Sequence, residues 1–377
     1  MIPNCKELTI LIPTMNRPWF VTRALFVYSQ LEFNGQILIG DSSEGDAYSH
    51  TQSFIEALPS AMSVKHCYFS SQKYPTCGAV VRELVGRVRT KFVCQFGDDD
   101  ILLPVGASEC IDFLHRTPSY GAATGQQRLE FILSGSAGEP HSVSAFELID
   151  EPELDHSDPI VRFKAYMRKT LAPNYYVFRR EIFERAYSAL DRAETRYFGP
   201  ELLACGVAVC LGRVKKLDVL TIMFEVHDDH IFSWHRTSCY DLFFDEGFSP
   251  TLRVLREEVG RALSQESNGT EADVKDVVDK ELFRHISKLL GWQYKQRYAD
   301  GYVKNSLSGK NPRKSILARA FSYFVETSLR QIYWDLRKRF GMLGRSKARH
   351  TMPNNQKFRE CSIVCELFRD NGSRLLR

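Results

Sequence analysis

Three consecutive carboxylates, Asp98, Asp99 and Asp100, are the residues of this sequence with the clearest chemical potential. They follow the apolar run 92–96 and Gly97, a pattern typical of a buried strand that ends in a turn. Adjacent carboxylates repel one another, so a folded protein must offset them with a cation or with hydrogen-bond donors. Mg²⁺ is usually held by one or two carboxylates together with substrate phosphates, and Mn²⁺ accepts the same ligands. The triplet therefore predicts either a divalent metal site or a solvated loop that caps the next helix.

The elements that must position this triplet are strands alternating with helices. We predict strands at 8–12, 36–40, 64–69 and 92–96, and helices at 18–31, 53–58, 78–89 and 105–116. This alternation predicts an α/β fold with a mostly parallel sheet flanked by helices. Ligands of such sheets bind beyond the carboxyl ends of the strands. Thr14, Arg17 and Asp41 follow predicted strand ends, as the Asp triplet does, so we expect all of them at one edge.

The pattern changes after residue 125. Residues 134–160 are rich in Gly, Ser, Pro and acidic residues and predict a long loop. We expect helices at 159–169 and 181–190 and a further helix beginning near Pro200, with strands at 175–178 and 219–226. Beyond residue 240 the pattern is mainly helical.

Four motifs within residues 8–120 resemble, in order and spacing, those of glycosyltransferase family 2 and its GT-A-fold relatives. Segment 8–18, LTILIPTMNRP, is similar to their first strand, and segment 37–43, ILIGDSS, to their second strand ending in Asp. Gly78 to Arg82 resembles their Gly-x-x-x-Arg helix start, and segment 95–104, QFGDDDILLP, resembles their metal motif. The resemblance implies a GT-A fold, to which the helical pattern beyond residue 240 adds a helical C-terminal extension. It also implies a metal-dependent, hexosyltransferase-like enzyme that uses a nucleotide-sugar donor.

The same resemblance implies roles for individual residues. The expected donor-binding residues are Pro13, Thr14, Asn16, Arg17, Asp41, Lys73, Gly78, Arg82, Asp98 and Asp99, and the expected ligands of Mn²⁺ or Mg²⁺ are Asp98, Asp99, Asp100 and His227. Asp41 would accept a hydrogen bond from the base, and a uracil imide suits a carboxylate, so a UDP-sugar is the expected donor. A surface ion pair is the alternative for Lys73 and Arg82, and a polar strand end is the alternative for His227. Many relatives carry a further carboxylate where Gly97 stands, which leaves open which two Asp hold the metal.

A candidate general base lies about a hundred residues after the metal motif. In segment 198–203, FGPELL, Gly199 and Pro200 suit a helix start and place Glu201 in its first turn. Relatives carry at this point an acid that removes the proton of the acceptor hydroxyl in an inverting transfer. The helix dipole would favour the ionised form of Glu201 and lower its pKa. The alternative is that Glu201 only stabilises the first turn.

The resemblance, together with the charge distribution, predicts the organisation of the whole chain. We expect a glycosyltransferase domain, 1–235, with a nucleotide-binding half, 1–125, and an acceptor half, 126–235, followed by a helical, basic region, 236–377. Residues 301–377 contain 17 Lys and Arg against 5 Asp and Glu. Residues 315–345 alternate aromatic and basic side chains, a pattern that suits either an anionic membrane surface or packing on the catalytic domain. From the resemblance we also expect the acceptor to be a glycan or a lipid-linked glycan of a polysaccharide or glycolipid pathway.

Several other classes are disfavoured. The sequence has no GxGxxG after a strand, no Walker A pattern and no recognisable nucleic-acid-binding module. A nucleotidyltransferase acting on sugar phosphates remains an alternative, although no Gly-rich phosphate loop follows the first strand. A catalytically inactive nucleotide-sugar-binding module is the other alternative. The ten cysteines are scattered, the first residues do not resemble a signal peptide, and no run reaches the roughly 18 apolar residues of a membrane helix, so we expect a cytoplasmic protein.

The transferase interpretation depends on the direction in which the acids point. It requires the Asp triplet to face a cleft rather than to be dispersed or neutralised by arginines.

Overall fold

The computed structural model describes residues 3–134, 142–169, 173–192, 199–226, 248–267, 273–288 and 358–371. Their first part alternates strands and helices: β1 (Leu8–Thr14), α1 (Pro18–Gln30), β2 (Gln36–Asp41), α2 (Gly45–Glu56), β3 (Ser63–Tyr68), α3 (Cys77–Val85) and β4 (Phe92–Gln95). The four strands are parallel, with β2 and β4 on either side of β1 and β3 beyond β2. Their carboxyl ends therefore meet at one edge of the sheet.

Local sequence signals explain where these helices begin. Proline occupies the first position of α1, as it does of the later helix α4 (Pro104–Arg116), where its missing N–H costs no hydrogen bond. Thr76 precedes α3, and its hydroxyl accepts a hydrogen bond from the N–H of Ala79 at 3.2 Å. Helices α1 and α3 thus begin after β1 and β3, two of the parallel strands whose carboxyl ends lie at this edge.

The second part extends the sheet beyond β4. Its elements are β5 (Ile101–Leu102), α4, β6 (Tyr120–Ser134), β7 (Ser142–Asp150), α5 (Pro159–Lys169), β8 (Val177–Arg179), α6 (Arg180–Ser188), a π-helix (Gly199–Ala204), α7 (Cys205–Leu211) and β9 (Arg213–Glu225). In the described residues the sheet has nine strands in the order β3-β2-β1-β4-β8-β6-β9-β5, with β7 paired to β6. Strands β8, β5 and β7 are antiparallel to their neighbours, while the long pairing of β6 with β9 is parallel.

The predicted fold class is confirmed, since a mixed, mostly parallel sheet is flanked by helices. The long loop predicted at 134–160 is wrong, because β7 occupies Ser142–Asp150 and pairs with β6. The polar composition misled the prediction: β7 has β6 as its partner on one side, and such a strand tolerates more polar side chains than the sheet centre. The two-residue strand β5 is too short to give a periodic signal in the sequence.

The described C-terminal residues are helical. They form α8 (Phe248–Glu266), α9 (273–288) and α10 (Arg359–Asn371). Helix α8 packs on α7, and α10 packs on β7 and β6, where the rings of Phe368 and Phe131 stack with centroids 5.8 Å apart. Within the described ranges, no helix is both long and apolar enough to cross a bilayer, and the cysteines form no disulfide. The aromatic and basic segment 315–345 and the predicted domain boundary at 235 lie outside the described residues.

Candidate active site

A cavity of about 390 Å³ opens at the carboxyl ends of β1 and β4. Six residues predicted from the sequence line it: Pro13, Thr14, Arg17, Asp98, Asp99 and Glu201. Segments that are distant in sequence therefore meet at one place, because parallel strands end at the same edge. Thr14 is the last residue of β1, and the two acids follow β4 within four residues.

Asp98 and Asp99 point into this cavity and are paired there with a single arginine. Arg17 donates from Nη1 to Asp98 Oδ1 at 2.8 Å and from Nη2 to Asp99 Oδ2 at 3.0 Å. The hydroxyl of Thr14 donates to the second oxygen of Asp98 at 2.7 Å. The acids thus face a cleft, as the metal-site interpretation requires, but an arginine neutralises part of their charge, against that same requirement.

Arg17 does not balance the acids completely. Burial, followed by the negative charge of Asp99, raises the pKa of Asp98 to about 7, although Arg17 and the Thr14 hydroxyl act in the opposite direction. An ordinary Asp is fully ionised at neutral pH, so the site retains a preference for added positive charge, either a proton or a cation. These two carboxylates therefore fit a divalent ion that takes its other ligands from a substrate.

Asp100 has different surroundings. Its Oδ2 accepts a hydrogen bond from the hydroxyl of Tyr175 at 2.6 Å, and its Oδ1 accepts one from the backbone N–H of Glu225 at 3.0 Å. Burial raises its pKa well above the usual value. Both oxygens are engaged inside the protein, so Asp100 connects the loop to the end of β9. A metal-binding role for Asp100 stays a prediction.

Gly97 makes the close approach of the acids possible. A Cβ atom at this position would lie 2.5 Å from Asp99 Oδ1 and 2.9 Å from Asp100 Oδ2. Such distances are shorter than van der Waals contact, so a side chain here would displace the carboxylates. The glycine at this position is therefore required by the packing of the loop, and a third carboxylate would need a different loop conformation.

Asp41 lies at the carboxyl end of β2, as predicted, but both of its oxygens have partners. Oδ1 accepts from the N–H of Ser43 at 2.7 Å, and Oδ2 lies 2.9 Å from His66 Nε2. Asn16 adopts a left-handed φ of 56°, and its N–H donates to the Ser43 hydroxyl at 2.7 Å. Asp41 and Asn16 thus hold the loops after β1 and β2 together. Contact of Asp41 with a base stays a prediction, and His66 was not predicted at all.

The remaining predicted donor residues lie near the cavity without being part of its described lining. Lys73 Nζ is 5.1 Å from the ring centre of Tyr74, which does line the cavity. Gly78 is buried in the first turn of α3. Arg82 pairs with Glu83 at 3.0 Å, which corresponds to the ion-pair alternative. Donor contacts of these three residues stay predictions.

Glu201 lies in the π-helix and lines the cavity, on a different segment from the Asp pair. Its pKa is raised to about 7, and burial is the cause. The expectation that a helix dipole lowers this pKa is therefore wrong, because removing the carboxylate from water outweighs the partial charges of one helix turn. The hydroxyl of Tyr166 donates to the backbone oxygen of Glu201 and holds this turn in place.

Sequence reasoning missed part of the cavity wall. The unpredicted lining includes Tyr74, Cys77, Gln95, Asn174 and Tyr175. Gln95 ends β4, so the rule that places ligands beyond strand ends offered a signal for it. Asn174 and Tyr175 belong to a short 3-10 turn before β8, and nothing in their local pattern indicates a site.

The described residues contain no cluster of three or more His, Cys, Asp or Glu side chains that would hold a metal without a substrate. His227, the predicted fourth metal ligand, lies outside the residues that the structure describes, immediately after Val226. A metal at this edge would therefore depend on Asp98, Asp99 and groups supplied by a ligand.

Comparison with known proteins relates the chain through its fold. Neither a protein family nor a curated protein matches it by sequence. S. aureus TarS 1–349 in complex with UDP-GlcNAc is similar over 74% of this chain and 72% of that chain, with a TM-score of 0.50 and 14% identity. Mannosyltransferase PcManGT from Pyrobaculum calidifontis, in complex with GDP-Man and Mn²⁺, is similar over 90% of each chain, with a TM-score of 0.43 and 13% identity. The likeness to TarS establishes a common α/β fold.

Proposed function

We propose that this protein transfers a sugar from a nucleotide-sugar donor to an acceptor hydroxyl in a metal-dependent reaction. One observation carries the proposal: a pair of adjacent carboxylates and a separate, half-buried glutamate line the same cavity at the carboxyl edge of the sheet. Such a transfer needs a positive charge on the leaving diphosphate and a base near the acceptor, and this cavity offers candidates for both. The neighbour with a similar fold, TarS, binds UDP-GlcNAc, and a UDP-sugar is the donor class that we propose.

The residues that would hold the metal are Asp98 and Asp99. They fit Mg²⁺ or Mn²⁺ because both are oxygen ligands and both face the cavity, and because burial and the charge of Asp99, which raise the pKa of Asp98, disfavour two ionised carboxylates without a cation. When bound, the metal would neutralise the charge that develops on the diphosphate. Arg17, which pairs with the two acids, supplies a second positive group at the same place. A diphosphate that approaches the acids with its metal would therefore also meet a guanidinium.

Glu201 is the candidate base. In the transfer, the acceptor oxygen forms a bond to the anomeric carbon, the bond from that carbon to the diphosphate oxygen breaks, and the acceptor proton moves to Glu201. A pKa near 7 suits this task, because the group is substantially ionised at neutral pH yet basic enough to take the proton. Glu201 and the two acids line one cavity of about 390 Å³ from different segments of the chain, and we propose that the sugar binds in this cavity.

The test is a screen of UDP-, GDP- and other sugar nucleotides for Mn²⁺-dependent hydrolysis, together with calorimetric titration of UDP. We expect hydrolysis of at least one donor and UDP binding that requires the metal. Asp98→Asn combined with Asp99→Asn should abolish both, whereas Asp112→Asn, on the exposed side of α4, should change neither. A protein that binds no nucleotide in the presence of Mn²⁺ would refute the proposal.

Two other outcomes would identify the alternatives. Metal-dependent UDP binding without turnover of any donor would identify a binding module, a reading that the Arg17 pairing with both acids favours. Formation of a sugar nucleotide from a nucleoside triphosphate and a sugar phosphate would identify a nucleotidyltransferase. The acceptor class, glycan or lipid-linked glycan, is addressed only after a donor has been found, by adding candidate acceptors to the hydrolysis assay.

A further inference from the structure

A second arginine, Arg23, lies in the protein interior next to residues 97–100, which we call the Asp loop. It belongs to α1 and is 4% exposed. Its Nη2 pairs with the carboxylate of Glu225 at the end of β9 and approaches the backbone oxygen of Asp99 at 3.5 Å. The backbone N–H of Glu225 in turn donates to Asp100. Arg23 therefore joins the loop that carries the acids to the last residue of β9 without lining the cavity.

The hydrogen bonding of Arg23 is incomplete. Nε and Nη1 are buried and have no hydrogen-bond partner among the residues that the structure describes. The guanidinium is surrounded by aromatic rings, with centroids 4.9 Å away for Trp19, 5.2 Å for Phe20 and 4.9 Å for Phe368. Ring faces attract a cation and exclude water, so they compensate part of the missing hydrogen bonds. Since Arg23 is only 4% exposed, its charge is directed at the carboxylate of Glu225.

One of these rings comes from the far end of the chain. Phe368 is on α10, and its side chain is buried together with those of Cys361 and Val364 on the same helix face. At the start of α10, Glu360 accepts a hydrogen bond from the N–H of Val105, 3.1 Å from each carboxylate oxygen. Val105 is the second residue of α4, which begins soon after the Asp loop. Helix α10 thus contacts both Arg23, which anchors the Asp loop, and α4, the helix that follows this loop.

We infer that α10 is part of the machinery of the proposed donor site: Phe368 holds Arg23 in place, and Arg23 positions the backbone of Asp99 and the carboxylate of Asp100. Arg23 and Phe368 are positioning residues, since neither lines the cavity. The inference rests on the proposed function, because its test measures the binding of UDP. The acids are expected to bind a metal and the diphosphate of this nucleotide. It predicts that a change 345 residues away from Arg23 in sequence weakens nucleotide binding.

The experiment compares Phe368→Ala with Leu263→Ala in the full-length protein. Leu263 is a buried residue of α8 and controls for a loss of core packing. Calorimetric titration with UDP in saturating Mn²⁺ is carried out well below the melting temperature of each variant, and melting temperatures are measured alongside. We expect Phe368→Ala to raise the Kd for UDP on the order of fivefold or more, the scale of coupling between distinct sites. Leu263→Ala should lower the melting temperature while leaving this Kd within about twofold.

Phe368→Leu provides a second variant that keeps most of the apolar volume and removes the aromatic face. It should also raise the Kd, and it serves if Phe368→Ala does not fold. An unchanged Kd in the folded Phe368 variants overturns the inference, as does an equal loss of affinity in Leu263→Ala. If the unmodified protein binds no UDP with Mn²⁺, the proposed function fails first, and the inference that rests on it fails as well.

Discussion

Asp98 and Asp100 are separated by one residue, yet their carboxylates have opposite surroundings. Asp98 faces the cavity beside Arg17, whereas Asp100 points into the protein and accepts hydrogen bonds from Tyr175 and from a backbone N–H. We therefore propose separate tasks for the two acids: Asp98 would contact a ligand, whereas Asp100 supports the fold. Removing the carboxylate of Asp100 would leave a buried phenol and a buried N–H without partners, which destabilises the loop itself.

At the same scale, the pKa of Glu201 predicts a pH dependence. A base works only when ionised, so kcat should fall as the pH is lowered through about 7 and level off above it. Glu201→Gln should lower kcat on the order of 100-fold or more, the usual contribution of a general base, while the Kd for UDP with Mn²⁺ changes little. Steady-state kinetics from pH 5.5 to 8.5 with the identified donor measure this.

Glu181, an acidic residue in the first turn of α6, offers the control substitution Glu181→Gln. This variant should keep the wild-type kcat and the same decrease of kcat at low pH. Near-normal turnover in Glu201→Gln would remove Glu201 from the mechanism and return it to a structural role in its helix turn.

At the scale of elements, α4 and α10 meet through one carboxylate. The side chain of Glu360, on α10, contacts the N-terminus of α4, where free backbone N–H groups favour a negative charge. The N–H of Val105 donates to it. Burial nevertheless raises the pKa of Glu360 from 4.5 to about 7. Desolvation thus outweighs the N–H contact, and the contact between the two helices depends on pH.

The raised pKa predicts how this contact affects stability. The folded protein holds the proton of Glu360 more tightly than the unfolded chain does, so its contribution is complete below pH 4.5 and is lost as the pH rises through about 7. Relative to Glu360→Gln, which does not titrate, the wild-type free energy of unfolding should decrease over this range, by at most about 3 kcal/mol. Urea denaturation at a series of pH values measures the difference.

Glu366 is exposed on the same helix, so Glu366→Gln is the matched control. Its stability relative to wild type should not change with pH over the same interval. A difference between wild type and Glu360→Gln that is constant from pH 4.5 to 7.5 would contradict the burial of Glu360 against α4.

At the scale of the whole molecule, the sheet order is what assembles the site. The cavity takes Thr14 from β1, Asp98 from the loop after β4 and Glu201 from the segment before α7, and Glu225 at the end of β9 supports the Asp loop from inside. Helix α10 covers the same region from the far end of the chain. The residues of α10 therefore pack on the sheet, and the predicted division of the chain at residue 235 stays a prediction.

This assembly predicts that ligand binding stabilises the protein as a unit. UDP at 100 times its Kd in the presence of Mn²⁺ should add about 2.7 kcal/mol to the free energy of unfolding and raise the melting temperature by a few degrees. The rise in melting temperature requires both UDP and Mn²⁺, because we propose that the metal joins the acids to the diphosphate. Differential scanning calorimetry with UDP and EDTA is the control, and an equal rise without metal would contradict the role of Asp98 and Asp99.

The alternation of short apolar runs with helical patterns was sufficient to predict the parallel strands and the edge at which Thr14, Arg17, Asp41 and the Asp triplet lie. The period of the hydrophobic pattern and the positions of strand ends are local properties of a chain. The carboxyl ends of parallel strands all lie at one edge of the sheet. Residues 142–150 were not predicted as a strand because their pairing with β6 depends on a partner rather than on their own composition.

What only the tertiary structure decided is the direction and surroundings of each side chain. Which two of the three adjacent acids face the cavity, why the pKa of Glu201 is raised rather than lowered, and how Phe368 reaches Arg23 all depend on packing between distant segments. Burial, and with it the cost of a charge, is set by what covers a residue. A sequence read along the chain specifies what covers a residue only when the covering group is a near neighbour.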